Sequence, residues 1–470
     1  MTTTSHRTTW TPAALLAFAV VAGGAHNASA QPTLQLTSDE VARRAVESSF
    51  ELAASEQARA AAKAGVDQAQ AGYYPRIIAS ARYMRLSEID NPALGNLVLA
   101  PEPEPGPIAP GTTLVAAPVG FPTLVDQYTL QAQLTLPLSD YLLRVPHAVD
   151  SAAASEQAAA LDARAVRLRV AADARVLYYD WVRNRLQLGV AEQTLAQTQA
   201  HLEDAQRLAA AGSISQADVL RAESQVAESE LLLERARNLA SLNDQRLRTT
   251  MHDRSGARYE IGEDVQADVA PAAQAEAWKL QREALGRRLE LKAIELTRRG
   301  LLSQGKLARA GALPRLDGLA EATYANPNQR VVPQRDEFKG SWAIGAQLSW
   351  TPSELPAALA QGRGADARAS EVDARRHAVE DAIKIEVTRT LQAEREASKA
   401  IETNERRLRA AEEGHRVRTV LFQNGRATGV EVGDAEVELT RARLDAIAAR
   451  IGLRVARVQL AHAPGLDIDP

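Results

Sequence analysis

Residue types that could do chemistry are plentiful in this chain, but they are not arranged for it. Its eight histidines are His6, His26, His147, His201, His252, His377, His415 and His462, and none stands three or four residues from another. A helix needs that spacing to turn two imidazoles toward one metal ion. There is no His-Glu-x-x-His run, no Ser-His-Asp signature and no Gly-rich loop ending in Lys-Ser/Thr. The absence of cysteine removes thiolate ligands, cysteine nucleophiles and disulfides. Carboxylates abound, but they are interspersed with Arg and Lys along helical stretches, the pattern of solvated helix faces. No enzyme activity, cofactor or metal site is expected.

The elements carrying these residues are more informative. Alanine, leucine, glutamate and arginine dominate, aromatics make up 4 %, and the net charge is −4. This is long-helix composition, and its charge balance argues against nucleic acid as a partner. His6 and Arg7 precede an apolar stretch from Pro12 to Ala22, and Ala28-Ser29-Ala30 fits a small-x-small cleavage site. Residues 1–30 therefore read as a signal peptide. Past it, no apolar run reaches the length of a membrane-spanning helix, so any crossing must use strands.

A duplication organises the rest, with one repeat at 31–275 and a second at 276–470. Phe50-Glu51-Leu52-Ala53-Ala54 aligns with Leu289-Glu290-Leu291-Lys292-Ala293, and Ala71-Gly72-Tyr73-Tyr74-Pro75-Arg76 with Ala310-Gly311-Ala312-Leu313-Pro314-Arg315. Leu134 to Asp140 matches Leu348 to Glu354 in the same order. In the first repeat the pattern predicts helix 38–72, strands 75–86 and 126–136, and helices 145–210 and 216–252. In the second it predicts helix 276–311, strands 314–324 and 340–350, and helices 357–422 and 430–462. The longest helices would span about 100 Å at about 1.5 Å per residue, a length suited to coiled coils, arrays or tubes. The returning helices carry heptad stripes of small residues, Val219 to Leu247 and Val432 to Leu460.

The strands alternate. Tyr128, Leu130, Ala132, Leu134 and Leu136 interleave with Gln127, Thr129, Gln131, Gln133 and Thr135; Trp342, Ile344, Ala346, Leu348 and Trp350 interleave with Ser341, Ala343, Gly345, Gln347 and Ser349. Such strands fit a membrane barrel, apolar toward lipid and polar toward a lumen. Tyr83, Tyr128, Tyr324 and Trp342 fall toward the loop ends and Trp350 toward the helix side, where interfacial girdles belong. Hydrocarbon does not tolerate unpaired backbone groups, so such a sheet must close. Four strands cannot close, since the smallest barrels have about eight. Several copies must pool strands, and three would supply about twelve. The Pro-rich stretch from Asn91 to Pro122 and its shorter counterpart from Asn326 to Phe338 would be surface loops.

Taken in order, these features resemble the TolC family of outer-membrane efflux proteins over essentially the whole mature chain. The phrases that carry the resemblance are Leu36-Thr37-Ser38-Asp39-Glu40-Val41-Ala42-Arg43-Arg44-Ala45, then Gln68-Ala69-Gln70-Ala71-Gly72-Tyr73-Tyr74-Pro75, then Gly212-Ser213-Ile214-Ser215-Gln216-Ala217-Asp218-Val219-Leu220-Arg221-Ala222. The resemblance implies a mainly α protein with a membrane β-barrel: a homotrimer whose twelve-stranded barrel continues into a twelve-helix tunnel. It would be a passive exit channel of an efflux pump or type I secretion system in the outer membrane of a Gram-negative bacterium. Its lipid-embedded barrel would lead to helical tips that meet a periplasmic adaptor and, through it, an inner-membrane pump. The resemblance makes Gly212, Ser213, Ile214, Ser215, Asp218, Gly425, Arg426 and Thr428 tip residues. It makes Glu431 and Asp434, with Arg426, the periplasmic gate. Where some members carry a tethering basic residue, this chain has Ala427. The pump, not this chain, would choose among drugs, metal cations, metabolites and polypeptides. A periplasmic coiled-coil adaptor or scaffold is the alternative, but adaptors carry one helical hairpin rather than a duplicated unit.

Overall fold

The structure, a computed structural model, describes residues 33–89, 95–99, 107, 109–118, 124–265, 267 and 276–466. The expected signal segment and much of the loop at 91–122 lie outside the described residues. The first repeat runs β1 (Thr33–Leu36), α1 (Ser38–Ser48), α2 (Phe50–Gln70), β2 (Arg76–Arg85), β3 (Asn96–Leu99), β4 (Val115–Pro118), β5 (Asp126–Leu136), α3 (Asp140–Leu143), α4 (Val145–Ala210), α5 (Gln216–Thr250) and β6 (Arg258–Ile261). The second runs α6 (Ala277–Arg287), α7 (Leu289–Ala310), β7 (Arg315–Asn326), β8 (Lys339–Ser349), α8 (Leu355–Gln423) and α9 (Gly429–His462).

The opening helix of each repeat is broken, where the sequence pattern predicts it continuous over 38–72 and 276–311. The breaks fall at Ser49 (φ −68, ψ 119) and Arg288 (φ −55, ψ 123). These positions are equivalent, since Phe50 aligns with Leu289, but their chemistry differs. Ser49 Oγ accepts the Leu52 amide at 3.1 Å and caps α2. Arg288 makes no side-chain cap. Its guanidinium instead donates to the Ala463 carbonyl at 3.1 Å and to Glu386 at 3.4 Å. The first break is capped by its own side chain; the second has no cap, and its guanidinium bonds both the nearby Glu290 at 3.2 Å and distant chain.

α4 and α8 contain 66 and 69 residues, so each runs about 100 Å. Proline lies only in their first turns, where its missing N–H costs nothing. α4 packs on α5 and α8 on α9, while α7 lies against both α4 and α8. The contact stripes are mostly small residues: Val219, Ala222, Ser229, Leu233, Ala240, Asn243 and Leu247 on α5, and Val432, Ala435, Leu439, Ala442, Ala446, Ala449, Leu453 and Ala456 on α9, all buried. Small side chains let the axes approach closely.

The largest core lies where α1, α4, α5 and α9 meet a two-stranded parallel ribbon of β1 and β6, which the alternation pattern did not reveal. Tyr178, Trp181, Val182, Leu247, Tyr259 and Ile451 fill it. The Tyr178 hydroxyl donates to the Leu36 carbonyl at 2.9 Å, which ties α4 to β1.

The four long strands form one antiparallel sheet in the order β2-β5-β7-β8. Ile77 faces Leu134, Leu130 faces Tyr324, and Ala320 faces Ile344, so the apolar positions of all four strands share one side. The opposite side carries Arg82, Thr129, Gln131, Glu321, Thr323 and Ser341. Among the described residues the sheet of one chain is open: β2 and β8 each have a single neighbour.

Candidate functional site

Among the described residues nothing covers the apolar side of the sheet. Ile77 is 71 % exposed, Trp342 72 % and Ile344 76 %, a band far larger than the scattered apolar residues of a soluble surface. Aromatic side chains gather at its loop end. Tyr83 and Tyr128 lie 5.0 Å apart between ring centroids, and Phe338 bridges Tyr128 at 6.0 Å and Tyr324 at 5.2 Å. Trp342 stands beside them in register with Ala322. Trp350 lies past the other end of β8, its indole N–H donating to the Ala312 carbonyl at 3.1 Å. Phe338 was read as a loop residue; only its packing brings it into the aromatic group.

At the far end of the long helices the two hairpin turns are built alike. Gly212 (φ +72) and Gly425 (φ +69) take the left-handed conformation that ends a helix. Ser213 N–H donates to the Leu208 carbonyl at 2.9 Å, and Arg426 N–H to the Leu421 carbonyl at 2.8 Å. Each returning helix then opens with a reciprocal capping box. Ser215 Oγ donates to Asp218 at 2.6 Å. Thr428 N–H donates to Glu431 Oε2 at 2.8 Å and its hydroxyl to the same oxygen at 3.0 Å. The Ser215 hydroxyl and amide hold the Asp218 carboxyl below its ordinary range, and the Thr428 amide and hydroxyl do the same for Glu431.

These contacts separate the two acidic residues singled out at the second tip. Glu431 is engaged by its own helix start. Asp434 is exposed one turn further along α9, with no polar partner among the described residues. Arg426 is exposed at the turn. The position equivalent to Asp434 in the first tip is Arg221, so the acid belongs to the second repeat alone. Ile214 packs on a small core of Ala205, Val219, Ala222, Phe422 and Val432, which joins both hairpins. The Phe422 ring lies 5.0 Å from His201, and Gln423 Nε2 donates to Asp204 at 3.2 Å. This joint escaped the sequence reading, because its members lie about two hundred residues apart.

Residues 41–251 and 280–466 match the model of the outer membrane efflux protein family. The chain belongs to that family. No curated protein sequence matches it. Several solved structures share its fold. The outer-membrane channel OprN superposes with a TM-score of 0.71 at 18 % identity, covering 91 % of this chain and 89 % of that one. The outer membrane protein VceC of Vibrio cholerae gives 0.69 at 18 %, covering 91 % and 96 %. The CmeC outer membrane channel of Campylobacter jejuni gives 0.74 at 11 %, covering 94 % and 90 %. As a member of the outer membrane efflux protein family, the chain carries a transport role. No helix among the described residues is long and apolar enough to cross a membrane. Nor do those residues gather three or more His, Asp or Glu side chains into a metal cluster.

Proposed function

We propose that three copies of this chain pool their sheets into a closed barrel in the outer membrane, continued by a helical tunnel through the periplasm. The assembly is the passive exit duct of an efflux pump or type I secretion system. One observation carries the reading: a sheet with a bare apolar side also has two unpaired edges, β2 and β8. In lipid each unpaired N–H or C=O costs several kcal/mol, about the whole margin of a small domain. Pairing β2 of one copy with β8 of the next removes every edge. The Tyr83, Tyr128, Tyr324, Trp342 and Trp350 side chains then sit at the two membrane interfaces, and the polar side lines the lumen.

On this reading the tips are the pump-facing end. The turns at Gly212 to Ser215 and Gly425 to Thr428, with Asp218, meet a periplasmic adaptor linked to an inner-membrane pump. Asp434, repeated around the mouth, carries the entrance charge, and Glu431 with Arg426 flanks it. The absence of native cysteine makes a direct test clean. One cysteine on β2 is combined in turn with one at each β8 position, and the purified oligomer is oxidised. One register of pairs should give covalent dimers and trimers and survive heating in detergent as a single large species. No crosslink in any register, or a stable monomer without detergent, would remove the reading.

A further inference from the structure

The least explained group in the helical part is the carboxylate of Glu436. It lies on α9 with the residue 7 % exposed, and it accepts no hydrogen bond; Oε2 is fully buried without a partner. His415 on α8 comes no nearer than 3.9 Å to Oε1, and its own Nε2 is also unpartnered. A carboxylate buried without a donor is costly, which makes the site favourable for a cationic donor that can reach it. Glu436 also lines a cleft of about 280 Å³ between α5 and α9, floored by α4. Glu228 and Arg441 line the same cleft, and neither makes an ion pair among the described residues. Its remaining wall mixes hydroxyls and apolar side chains. The Thr194 and Thr440 hydroxyls bond each other at 3.2 Å, while Thr198 and Ser229 donate to carbonyls of their own helices, which leaves acceptor lone pairs free. Leu232, Val437 and Leu444 supply the apolar part.

We propose that this cleft is a binding site for a small organic cation, an ammonium or guanidinium group on a short apolar stem. Two carboxylates against one guanidinium make the cleft's own lining net negative, with the His415 imidazole 3.9 Å from Glu436 Oε1. Hydroxyl oxygens accept from the N–H groups, and the apolar wall covers the stem. Three carboxylate or imidazole ligands are not gathered here, so a bare metal ion is the poorer fit. Because the walls come from the two returning helices, an occupant holds α5 to α9 some way above the tips. The walls of the site all come from one chain, and its test does not use transport.

The experiment is calorimetry on the full chain purified in detergent, with agmatine as the probe and N-butylurea as the neutral control of similar shape. Saturable binding of agmatine but not of N-butylurea is expected. Glu436→Gln should weaken it tenfold or more, and Val437→Trp, at the exposed rim, should block it with the thermal midpoint unchanged. Equal binding by Glu436→Gln would overturn the proposal. So would a wild type that binds nothing while Arg441→Ala does, because Arg441 would then be the counter-ion of the cleft.

Discussion

The side-chain amide of Gln225 on α5 occupies the space a β-carbon would take on Gly433 of α9. The position is one of close approach, not of unusual backbone: Gly433 is helical and has no positive φ. Glycine inside a helix costs roughly 1 kcal/mol relative to alanine, so its presence here exchanges helix stability for contact between the two returning helices.

Gly433→Ala should therefore leave the thermal midpoint nearly unchanged, since gained helix propensity offsets the displaced amide. Adding Gln225→Ala should release that gain and stabilise the double variant over Gly433→Ala by up to about 1 kcal/mol. Gly433→Leu, too large to accommodate by moving one amide, should separate α5 from α9. Thermal unfolding of the wild type and these three variants checks this; equal midpoints for the alanine single and double variants would show that the amide does not bear on Gly433.

Asp434 and Glu431 should divide their effects. Single-channel current in planar bilayers should lose cation preference in Asp434→Ala, while Glu431→Ala should mainly loosen the first turn of α9. The pH dependence has a definite sign. Glu431 and Asp218 both have folded-state carboxyls held below their ordinary range. The stability they contribute is present above the unfolded carboxylate range and is lost as pH falls through the lower folded values. Protection of the tip amides against hydrogen exchange, corrected for the intrinsic pH dependence of exchange, should fall as pH drops through the carboxylate range toward the lower folded values, and less so in Glu431→Gln, which has no charge left to lose. Unaltered ion selectivity in Asp434→Ala would withdraw the gate.

The core around β1 and β6 should be the most sensitive part of the helical region. Trp181 is 1 % exposed and Tyr178 fully buried. Trp181→Ala should cost about 3–5 kcal/mol as a large cavity, and Tyr178→Phe about 1 kcal/mol through the lost bond to Leu36. Chemical denaturation in detergent measures both. A Tyr178→Phe cost as large as that of Trp181→Ala would mean that the hydroxyl supports more than the one carbonyl.

Much of this architecture is legible in the residues alone, because it rests on short-range periodicity. A period of two fixes which side chains share a sheet face, so Leu130 and Ile344 could be assigned to one side before any pairing was known. Gly212 and Gly425 mark turns because few other residues tolerate positive φ, and the heptad stripes from Val219 and Val432 name the contact faces. Tertiary structure decided what depends on groups distant in the chain. Arg288 has no cap of its own and reaches the remote Ala463 carbonyl with its guanidinium, whereas Ser49 carries its own cap. Glu431 and Asp434 are alike in the sequence, and only the fold separates them by giving the Glu431 carboxylate to Thr428; Glu436, one polar residue among many on α9, stands out because the fold buries it without a donor among the described residues. Sequence sets propensity and face; burial and partnership are properties of the packed chain, since they depend on which remote atoms exclude water.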